Sequence, residues 1–284
     1  MAGTLYLVGT PIGNLEDMSD RARRVLGQVE LVAAEDTRRT RKLLERFGIR
    51  ARLVSFFEGN ERERLPWLLE ALREGRDVAV VCDAGMPGLS DPGYRLVAAC
   101  VAEGIPVDVV PGPSAAVAAL VVSGLPTDRF AFEGFLPRAG RAREERLAAL
   151  AGEPRTVVLF ESPRRLRRTL DDLRRALGER RVAVVRELTK LHQEVLRGSL
   201  SEVLAELEAR GEVRGEVVVV VEGARGTERA DPAEALRVAR DLLARGARKR
   251  EAARAASRRT GVPAGEVYRA LLGEGGAGGR GSSG

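Results

Sequence analysis

The sequence predicts an α/β protein with two compact domains and a small helical unit at its C-terminal end. In the first half of the chain, short β-branched apolar runs alternate with amphipathic segments, and a second series of apolar runs follows. Beyond Asp231 only helical patterns occur. A chain of 284 residues with 44% apolar composition is long enough to bury more than one core.

The first series consists of apolar runs that are each followed by an amphipathic segment. The runs are TLYLVG, ELVAAE, DVAVVCD and PVDVVPG, and the segments are SDRARRVLGQV, TRRTRKLLERFG, GYRLVAACVAEG and SAAVAALVVSG. Such βα units predict a parallel sheet. Gly48, Gly104 and Gly124 each follow a predicted helix, at a position that favours positive φ. We expect the first domain to cover residues 1–112.

The second domain, residues 113–225, is predicted from a more varied series. FAFEGF alternates like a strand before an Arg-rich loop and helix, TVVLFES and EVVVVVEG are typical of strands, and RVAVVREL is a strand that we expect to end in a polar loop. Helices are predicted for PRRLRRTLDDLRRALG, for SLSEVLAELEARG and for the segments within 232–273. The Gly/Ser-rich residues 274–284 are predicted to be disordered.

The composition argues against several classes of protein. No apolar run approaches the roughly 18 to 20 residues of a membrane span, and the chain enters a predicted strand almost at once, so we expect a cytoplasmic protein. Cys82 and Cys100 lack metal-ligand spacing and are expected to be buried, reduced thiols. The single histidine, His192, argues against a His-rich metal site, and we expect no metal.

Positive charge is concentrated at the C-terminal end. Residues 231–284 contain 11 Lys and Arg against 6 Asp and Glu, which gives +5 of the total charge of +6. A basic unit of this kind suits the steering of a polyanion, although a solvated Arg-rich surface has the same composition. Lys249 to Tyr268 also has the helix, Gly261 turn and helix of a helix-turn-helix, which is a weak signal by itself.

Three predicted strand ends are rich in glycine and proline. These are Val8 to Leu15, Asp83 to Gly93 and Pro111 to Ala115. The carboxyl ends of parallel strands form one edge of the sheet, where ligands bind in open α/β folds. The spacing is neither GxGxxG nor that of a P-loop, which disfavours dinucleotides and nucleoside triphosphates. The sequence therefore predicts a shared site for another small molecule.

Five motifs in one order carry a family resemblance. VGTPIGNLEDMSDRA, AEDTR, CDAGMPGLSDPG, PGPSA and FESPRR together resemble the ribosomal RNA small subunit methyltransferase I family of the tetrapyrrole-methylase superfamily. The resemblance covers roughly residues 4 to 223 and continues loosely into the C-terminal helical segments. The resemblance implies a two-domain class III methyltransferase fold with a mixed second sheet. It also implies a homodimer that binds S-adenosylmethionine in the cleft between the domains.

The resemblance further implies which residues bind each substrate. The cofactor residues would be Asp83, Ala84, Gly85, Met86, Pro87, Ser114, Ala115, Phe160, Leu188, Gly215 and Glu216. From the first loop, Gly9, Thr10, Pro11 and Asn14 would lie near the acceptor. The residues themselves add Glu35 and Arg38, which can organise an RNA cleft, and Arg138 and Arg141, which can bind phosphates. The acceptor would be the ribose 2'-hydroxyl of a cytidine in the decoding region of 16S rRNA, in the small ribosomal subunit. No residue in the sequence reads cytidine.

A ribose hydroxyl needs a base, or a cation that stabilises the alkoxide. Of 47 basic residues only three are lysines, and lysine, unlike arginine, can lose its proton. Lys190 follows a predicted strand beside Glu187, which can orient it or act as the base itself. A surface ion pair is the structural alternative.

For Asp36 and for a group of arginines, both a functional and a structural interpretation remain open. Asp36 either organises an RNA cleft with Glu35 and Arg38, and so joins the catalytic candidates, or caps a helix. The arginines at 138, 141, 143 and 146 either grip phosphates from a flexible loop or form a solvated face. For the whole protein, the rivals are a small-molecule tetrapyrrole methylase and a non-catalytic RNA-binding assembly factor.

Overall fold

The computed structural model describes residues 2–224, 232–260 and 262–273. Residues Met1–Gly223 form one compact unit and Ala224–Gly284 form another. The first unit contains two sheets, and the second is helical in its described part. The predicted α/β class, with a parallel sheet, a mixed sheet and a small helical unit, is confirmed.

The first sheet is parallel and has helices on both faces. Its strands lie in the order β3-β2-β4-β1-β5, and their bounds are β1 Leu5–Val8, β2 Leu31–Ala34, β3 Leu53–Ser55, β4 Val78–Val81 and β5 Val107–Val110. One face packs on α1 (Asp20–Gln28) and α2 (Thr37–Arg46), and the other on α3 (Glu61–Arg73) and α4 (Tyr94–Ala102). All residues of β2 and β4 are buried, as expected for strands covered on both faces.

Local sequence explains where several helices begin and end. The Ser19 hydroxyl accepts the Ala22 N–H at the start of α1 at 3.1 Å, and the Asp36 carboxylate accepts the Arg38 N–H at the start of α2 at 2.8 Å. Gly48, Gly104 and Gly124 have φ values of 69°, 67° and 76°. The predicted need for positive φ at these positions is confirmed.

The second sheet is mixed. Its order is β6-β7-β10-β8-β9, in which β6 and β7 are parallel and the other pairs are antiparallel. The strands are β6 Phe130–Phe135, β7 Thr156–Glu161, β8 Arg181–Arg186, β9 Glu194–Ser199 and β10 Val217–Val221. Helix α5 (Ala115–Ser123) packs on one face, and the other is covered by α6 Arg141–Ala151, α7 Leu166–Leu177 and α8 Leu200–Ala209.

The structure corrects two local predictions. The polar loop after β8 is shorter than predicted, because Glu194–Ser199 forms the edge strand β9, which pairs with β8 along its whole length. Its Val195 and Leu196 pack into cores on opposite faces of the sheet, which stabilises a strand despite its polar neighbours. The flexible loop expected around the arginines ends earlier, since α6 begins at Arg141.

The C-terminal unit contains α9 (Pro232–Ala244), α10 (Lys249–Thr260) and α11 (Ala264–Gly273). Its core is built largely from alanine, with Ala235 and Ala239 of α9 against Ala252, Ala253 and Ala256 of α10. Small side chains let the two helices pack closely. The Gly261 turn and the tail at 274–284 lie outside the described residues.

Both cysteines are free and buried, as predicted. Among the described residues, no helix is long and apolar enough to cross a membrane, and no group of His, Cys, Asp and Glu is arranged to hold a metal ion.

Candidate active site

A cavity of about 410 Å³ lies where the strand ends of the two sheets meet. The first sheet contributes Ile12, Glu35, Asp83 and Ala84 from the loops after β1, β2 and β4, and α5 contributes Ala115. The second sheet contributes the ends of β7 and β8 and the start of β10. Because β10 is antiparallel to both of these strands, Val217 lies opposite Glu161 and Arg186 at one edge. Cavities of this size accommodate small-molecule ligands.

Backbone pairing joins the loops of the first sheet. Thr10 and Gly85 form an isolated bridge in which each N–H donates to the other's carbonyl, at 2.9 and 3.0 Å. The Thr10 hydroxyl donates to the Cys82 carbonyl at 3.1 Å, and Thr10 is only 1% exposed. The loops after β1 and β4 therefore act as one rigid wall of the cavity.

Glycine is required where β1 approaches the loop after β5. A Cβ at Gly9 would lie 2.6 Å from the Gly112 Cα and 2.7 Å from the Met86 sulfur. Side chains at either glycine would force these strand ends apart. Met86 thus packs beside Gly9 and does not line the cavity. Gly85 has a φ of 88°, which the turn before Met86 requires.

The opposite wall is aromatic and aliphatic. Phe160 packs edge-on to Phe132 with ring centroids 4.9 Å apart, and Phe135 lies 5.7 Å from it. Phe135 and Phe160 line the cavity together with Val185, Leu188 and Val218. A wall of this kind suits a flat, partly apolar group such as a nucleobase.

The first wall carries acidic side chains in a reciprocal arrangement. The Asp83 N–H donates to Glu35 Oε2 at 3.1 Å, and the Asp36 N–H donates to Asp83 Oδ1, also at 3.1 Å. Arg39 Nη1 lies 3.1 Å from Asp83 Oδ2. Arg38, by contrast, points outward and binds the Asp36 carboxylate at 2.8 Å. These contacts fix the carboxylates at the ends of β2 and β4.

A second cavity, of about 210 Å³, shares Ile12, Asp83, Ala84 and Glu216 with the first. It adds Pro11, Gly13, Arg39 and Lys190. A Cβ at Gly13 would lie 2.5 Å from Lys190 Cγ, so the loop after β1 touches the loop after β8. The Asn14 N–H also donates to Thr189 Oγ1 at 3.1 Å. The two sheets are thus connected at this end of the site.

Lys190 is held by two carboxylates. Its Nζ donates to Glu187 Oε1 at 2.9 Å and to Glu216 Oε2 at 3.1 Å, and Glu187 Oε1 also accepts the Glu216 N–H at 2.9 Å. Glu187 and Thr189 have φ values of 51° and 65°, which are strained for residues with a side chain. The contacts with Lys190 and Glu216 offset this strain and fix the loop.

These contacts decide the charge of each candidate base. Burial lowers the pKa of Lys190, but hydrogen bonds to Glu187 and Glu216 outweigh it and raise the pKa overall. The pKa of Glu187 is lowered by the backbone hydrogen bond from Glu216 and then by Lys190, and Arg38 lowers the pKa of Asp36 through side-chain and backbone hydrogen bonds. Of the two roles that the sequence leaves open, this environment favours Lys190 as a charge-stabilising cation over Lys190 as a base.

The structure brings some of the predicted site residues to the main cavity. Those that line it are Glu35, Asp83, Ala84, Ala115, Phe160, Leu188, Gly215 and Glu216. Pro11 lines the second cavity. Gly9, Thr10, Gly85, Met86, Pro87 and Ser114 do not line the main cavity; the Ser114 hydroxyl caps α5 by accepting the Val117 N–H at 3.5 Å.

The outer arginines separate into two groups. Arg138 and Arg141 are exposed, the latter 2.6 Å from Glu145. Arg143 is 3% exposed and binds Asp172, Thr169 and the Pro137 carbonyl, each within 2.9 Å. The predicted phosphate contact by Arg143 is therefore wrong, because its buried guanidinium connects α6 to α7.

Sequence reasoning missed several residues that line the cavity. They are Ser90, Asp91, Phe135, Glu161, Ser162 and Pro163. Asp91 lies in the quoted SDPG string and Glu161 in FESPRR, so the motifs contained them. Burial of Glu161, whose Oε2 accepts the Thr169 hydroxyl at 2.6 Å, depends on tertiary packing that no local pattern indicates.

Comparisons with known proteins agree with this geometry. A family model described as tetrapyrrole (corrin/porphyrin) methylases matches residues 4–204. The chain is 52% identical over 221 residues to ribosomal RNA small subunit methyltransferase I of Thermotoga maritima, which covers 78% of this chain and 99% of that protein. It is 44% identical over 273 residues to the protein of the same name from Halalkalibacterium halodurans, covering 94% and 93%. The crystal structure of uroporphyrin-III-C-methyltransferase from Thermus thermophilus matches with a TM-score of 0.53 and 28% identity, over 79% of this chain and 96% of that one.

Proposed function

The chain belongs to the tetrapyrrole methylase family, and on this premise we propose that it is an S-adenosylmethionine-dependent methyltransferase of ribosomal RNA. The acceptor that we propose is the ribose 2'-hydroxyl of a cytidine in the decoding region of 16S rRNA. An RNA acceptor is supported by 52% and 44% identity to proteins named for it, against 28% to a uroporphyrin methylase. The identity of the methylated nucleotide and of the acceptor oxygen is inferred from the resemblance of the motifs.

The cavity at the meeting strand ends is the observation that carries the proposal. An aromatic and aliphatic wall faces a row of carboxylates across it, which fits a donor that combines a nucleobase with a cationic sulfonium. When bound, the donor supplies a methyl group already activated for displacement. We propose that Phe160, Leu188 and Gly215 hold the base, and that Asp83, Ala84 and Ala115 hold the remainder.

The second cavity is the proposed site of the acceptor ribose. It adjoins the first along Ile12, Asp83 and Ala84, so a bound hydroxyl can approach the donor from that side. Lys190 remains protonated and donates a hydrogen bond to the acceptor oxygen as negative charge develops there. Glu187 is a positioning residue, because it holds the Lys190 ammonium at 2.9 Å.

The charged surface supports a polyanionic acceptor. Arg138 and Arg141 are exposed, and we propose that they contact phosphates of the RNA. Asp36 and Arg38 bind each other at 2.8 Å and are proposed to border the RNA path beside the cavity. The basic C-terminal helices are proposed to add further phosphate contacts, since they contain most of the net charge.

We propose that the enzyme acts in the cytoplasm as a homodimer. The proposal rests on the family resemblance, and Val117 and Val121, which are 48% and 67% exposed one turn apart on α5, offer one exposed apolar surface for such a contact. Light scattering tests the dimer. A single species at the chain mass of 30.6 kDa would overturn it.

The acceptor is tested with small ribosomal subunits from cells that lack this modification. The subunits are incubated with the protein and isotopically labelled donor, and the digested RNA is analysed by mass spectrometry. We expect one labelled 2'-O-methylcytidine per subunit. The Lys190→Met variant controls for methylation by contaminating enzymes.

The other outcomes separate the rival functions. Label in another nucleotide, or in a base, would overturn the cytidine ribose assignment. Label in uroporphyrinogen III but not in RNA would identify a small-molecule methylase. Binding to subunits without binding to S-adenosylmethionine would identify an assembly factor.

A further inference from the structure

The proposed donor cavity is lined by acidic groups and by no Lys or Arg among the residues that the structure describes. The five carboxylates are Glu35, Asp83, Asp91, Glu161 and Glu216. They lie around a cavity whose remaining lining is mostly apolar. In such surroundings a charge interacts more strongly with a ligand than it does in water.

Three of these carboxylates have cationic partners. Arg39 lies 3.1 Å from Asp83, Arg165 lies 3.2 Å from Glu161, and Lys190 lies 3.1 Å from Glu216. Arg39 and Arg165 offset the charges of Asp83 and Glu161, whereas the single Lys190 ammonium is shared between Glu187 and Glu216 and offsets Glu216 only in part. Asp83 and Glu161 therefore contribute less to the net charge that a ligand meets than an unpaired carboxylate does.

Glu35 and Asp91 differ from the other three. In the described part of the chain, neither has an ion-pair partner within 4.0 Å. Glu35 accepts the Asp83 N–H at 3.1 Å, and Asp91 faces the Cys82 thiol. Arg95, four residues after Asp91, pairs with Glu61 at 3.6 Å, and Glu61 also accepts the Gly93 N–H at 3.1 Å.

The titration of Asp91 agrees with an excess of negative charge. Its pKa is raised to about 6 by burial and then by repulsion from Glu35, an effect that the Cys82 thiol reduces and Asp83 adds to. A cation in the cavity would relieve this repulsion. Nothing among the described cavity residues supplies one.

We propose that Glu35 and Asp91 make the cavity selective for a cationic donor over its neutral product, an inference that rests on the proposed function. During transfer, the carbon–sulfur bond to the methyl group breaks and its electron pair stays on sulfur, while the acceptor oxygen forms the new bond and gives up its proton to solvent water. The ligand in the cavity thereby changes from a sulfonium to an uncharged thioether. The attraction of both carboxylates is lost at that moment, which favours release of S-adenosylhomocysteine.

Calorimetry on the full-length protein tests this selectivity with three ligands. These are S-adenosylmethionine, S-adenosylhomocysteine and an analogue in which a secondary ammonium replaces the methylsulfonium and joins the same adenosyl and amino acid parts. Asp91→Asn and Glu35→Gln remove one charge each, and Asp128→Asn is the matched control because Asp128 is exposed in the loop before β6. Each cavity variant is expected to weaken both cationic ligands about tenfold, as the loss of ~1.4 kcal/mol would do, with no weakening of the neutral product.

The pH dependence gives a second readout. In the wild-type protein, the preference for the cationic ligands should be full above pH 6 and decrease as the pH falls below 6, where Asp91 becomes protonated. Asp91→Asn should remove most of this dependence. Near-ultraviolet circular dichroism checks that each variant is folded.

The outcomes separate this inference from the proposed function. If a folded variant weakens all three ligands equally, or changes none of them, the charge selectivity is wrong while donor binding stands. If the wild-type protein binds none of the three ligands, the proposed function itself fails. Weakening of S-adenosylmethionine but not of the ammonium analogue would assign the effect to methyl contacts and overturn the role of charge.

Discussion

Lys190 illustrates how two neighbours determine what a side chain can do. Because Glu187 and Glu216 hold its ammonium at 2.9 and 3.1 Å and raise its pKa, we expect an electrostatic role rather than proton removal. Lys190→Met should lower the single-turnover rate about 100-fold, a typical loss for one stabilising donor, while S-adenosylmethionine still binds. Rapid-quench methyl transfer to small subunits measures the rate.

Two variants complete this test of Lys190. Lys190→Arg keeps the charge and should retain more activity than Lys190→Met. Lys42→Met, at an exposed lysine of α2, should leave the rate unchanged. Equal rates for Lys190→Met and the wild-type protein would assign Lys190 to a surface ion pair.

Asp91 should reduce stability in return for ligand selectivity. Its pKa is about 6 in the folded protein against 3.8 for an unperturbed side chain, so the folded state binds more protons between these values. Stability from this group is therefore greatest at low pH and is lost as the pH rises through 6. Asp91→Asn should raise the free energy of unfolding at pH 7.5 by about 1 kcal/mol, because solvent screening reduces the full effect of the shift.

Urea unfolding at pH 7.5 and near pH 4.5 measures the effect of Asp91→Asn. The gain should shrink at the lower pH, where Asp91 is largely protonated in the wild-type protein. A variant that is less stable at both pH values would show that the carboxylate has a structural partner instead.

At the scale of elements, close contact between strand ends determines the shape of the site. A Cβ at Gly9 would lie 2.6 Å from Gly112 and 2.7 Å from Met86, so Gly9→Ala should destabilise the fold by about 1 to 3 kcal/mol and weaken donor binding. Gly27→Ala is the matched control. Gly27 lies in α1 with open space around it, and alanine there should stabilise by about 0.5 to 1 kcal/mol.

Thermal unfolding and donor calorimetry on both glycine variants check this prediction. The same glycine-to-alanine change is expected to lower the free energy of unfolding at Gly9 and to raise it at Gly27, so the two effects are easy to distinguish. Tolerance of alanine at Gly9 would mean that the loops after β1 and β5 can separate without loss of the site.

The sequence predicts most elements because their periodicity is local. The runs of β1, β2, β4 and β5 are short, apolar and each followed by a helix, so the parallel sheet is predictable. Three-residue β3 is too short to give a pattern, and α3 contains Pro66, which usually interrupts a helix. The polar side chains of β9 give no strand pattern in the sequence, because this strand is stabilised by its pairing with β8.

The candidate site is only partly predictable for a related reason. Glycine- and proline-rich strand ends identify the loops around Asp83 and Ala115, because unusual backbone geometry requires those residues. Whether a charged side chain lines the cavity or supports it depends on packing between distant elements. Asp91 and Arg143, for which the sequence gives no role or the wrong one, are both of this kind.

At the scale of the whole molecule, the methyltransferase fold and the basic helices are separate units. The first unit ends at Gly223, and the 221 aligned residues of the Thermotoga maritima relative account for 99% of that protein. A body of this length therefore suffices for a complete relative. The relative from Halalkalibacterium halodurans aligns over 94% of this chain, so the relatives differ in how much of the C-terminal part they match.

The proposed role of the helical unit in RNA docking predicts a change in salt dependence. Deleting residues 232–284 should weaken binding to small subunits and flatten its dependence on salt, because fewer counterions are released from phosphates. Donor binding should survive, since every residue of the cavity precedes position 224.

A triple substitution tests the same role without removing any helix. Replacing the exposed Arg248, Lys249 and Arg250 with alanine should reduce the salt-dependence slope by about 2 to 3, if each contacts one phosphate. Arg62→Ala with Arg64→Ala, on the exposed side of α3, controls for general loss of positive charge. An unchanged slope in a folded deletion variant would exclude docking, whereas a lower melting temperature or an altered oligomeric mass would assign the helices to stability or assembly.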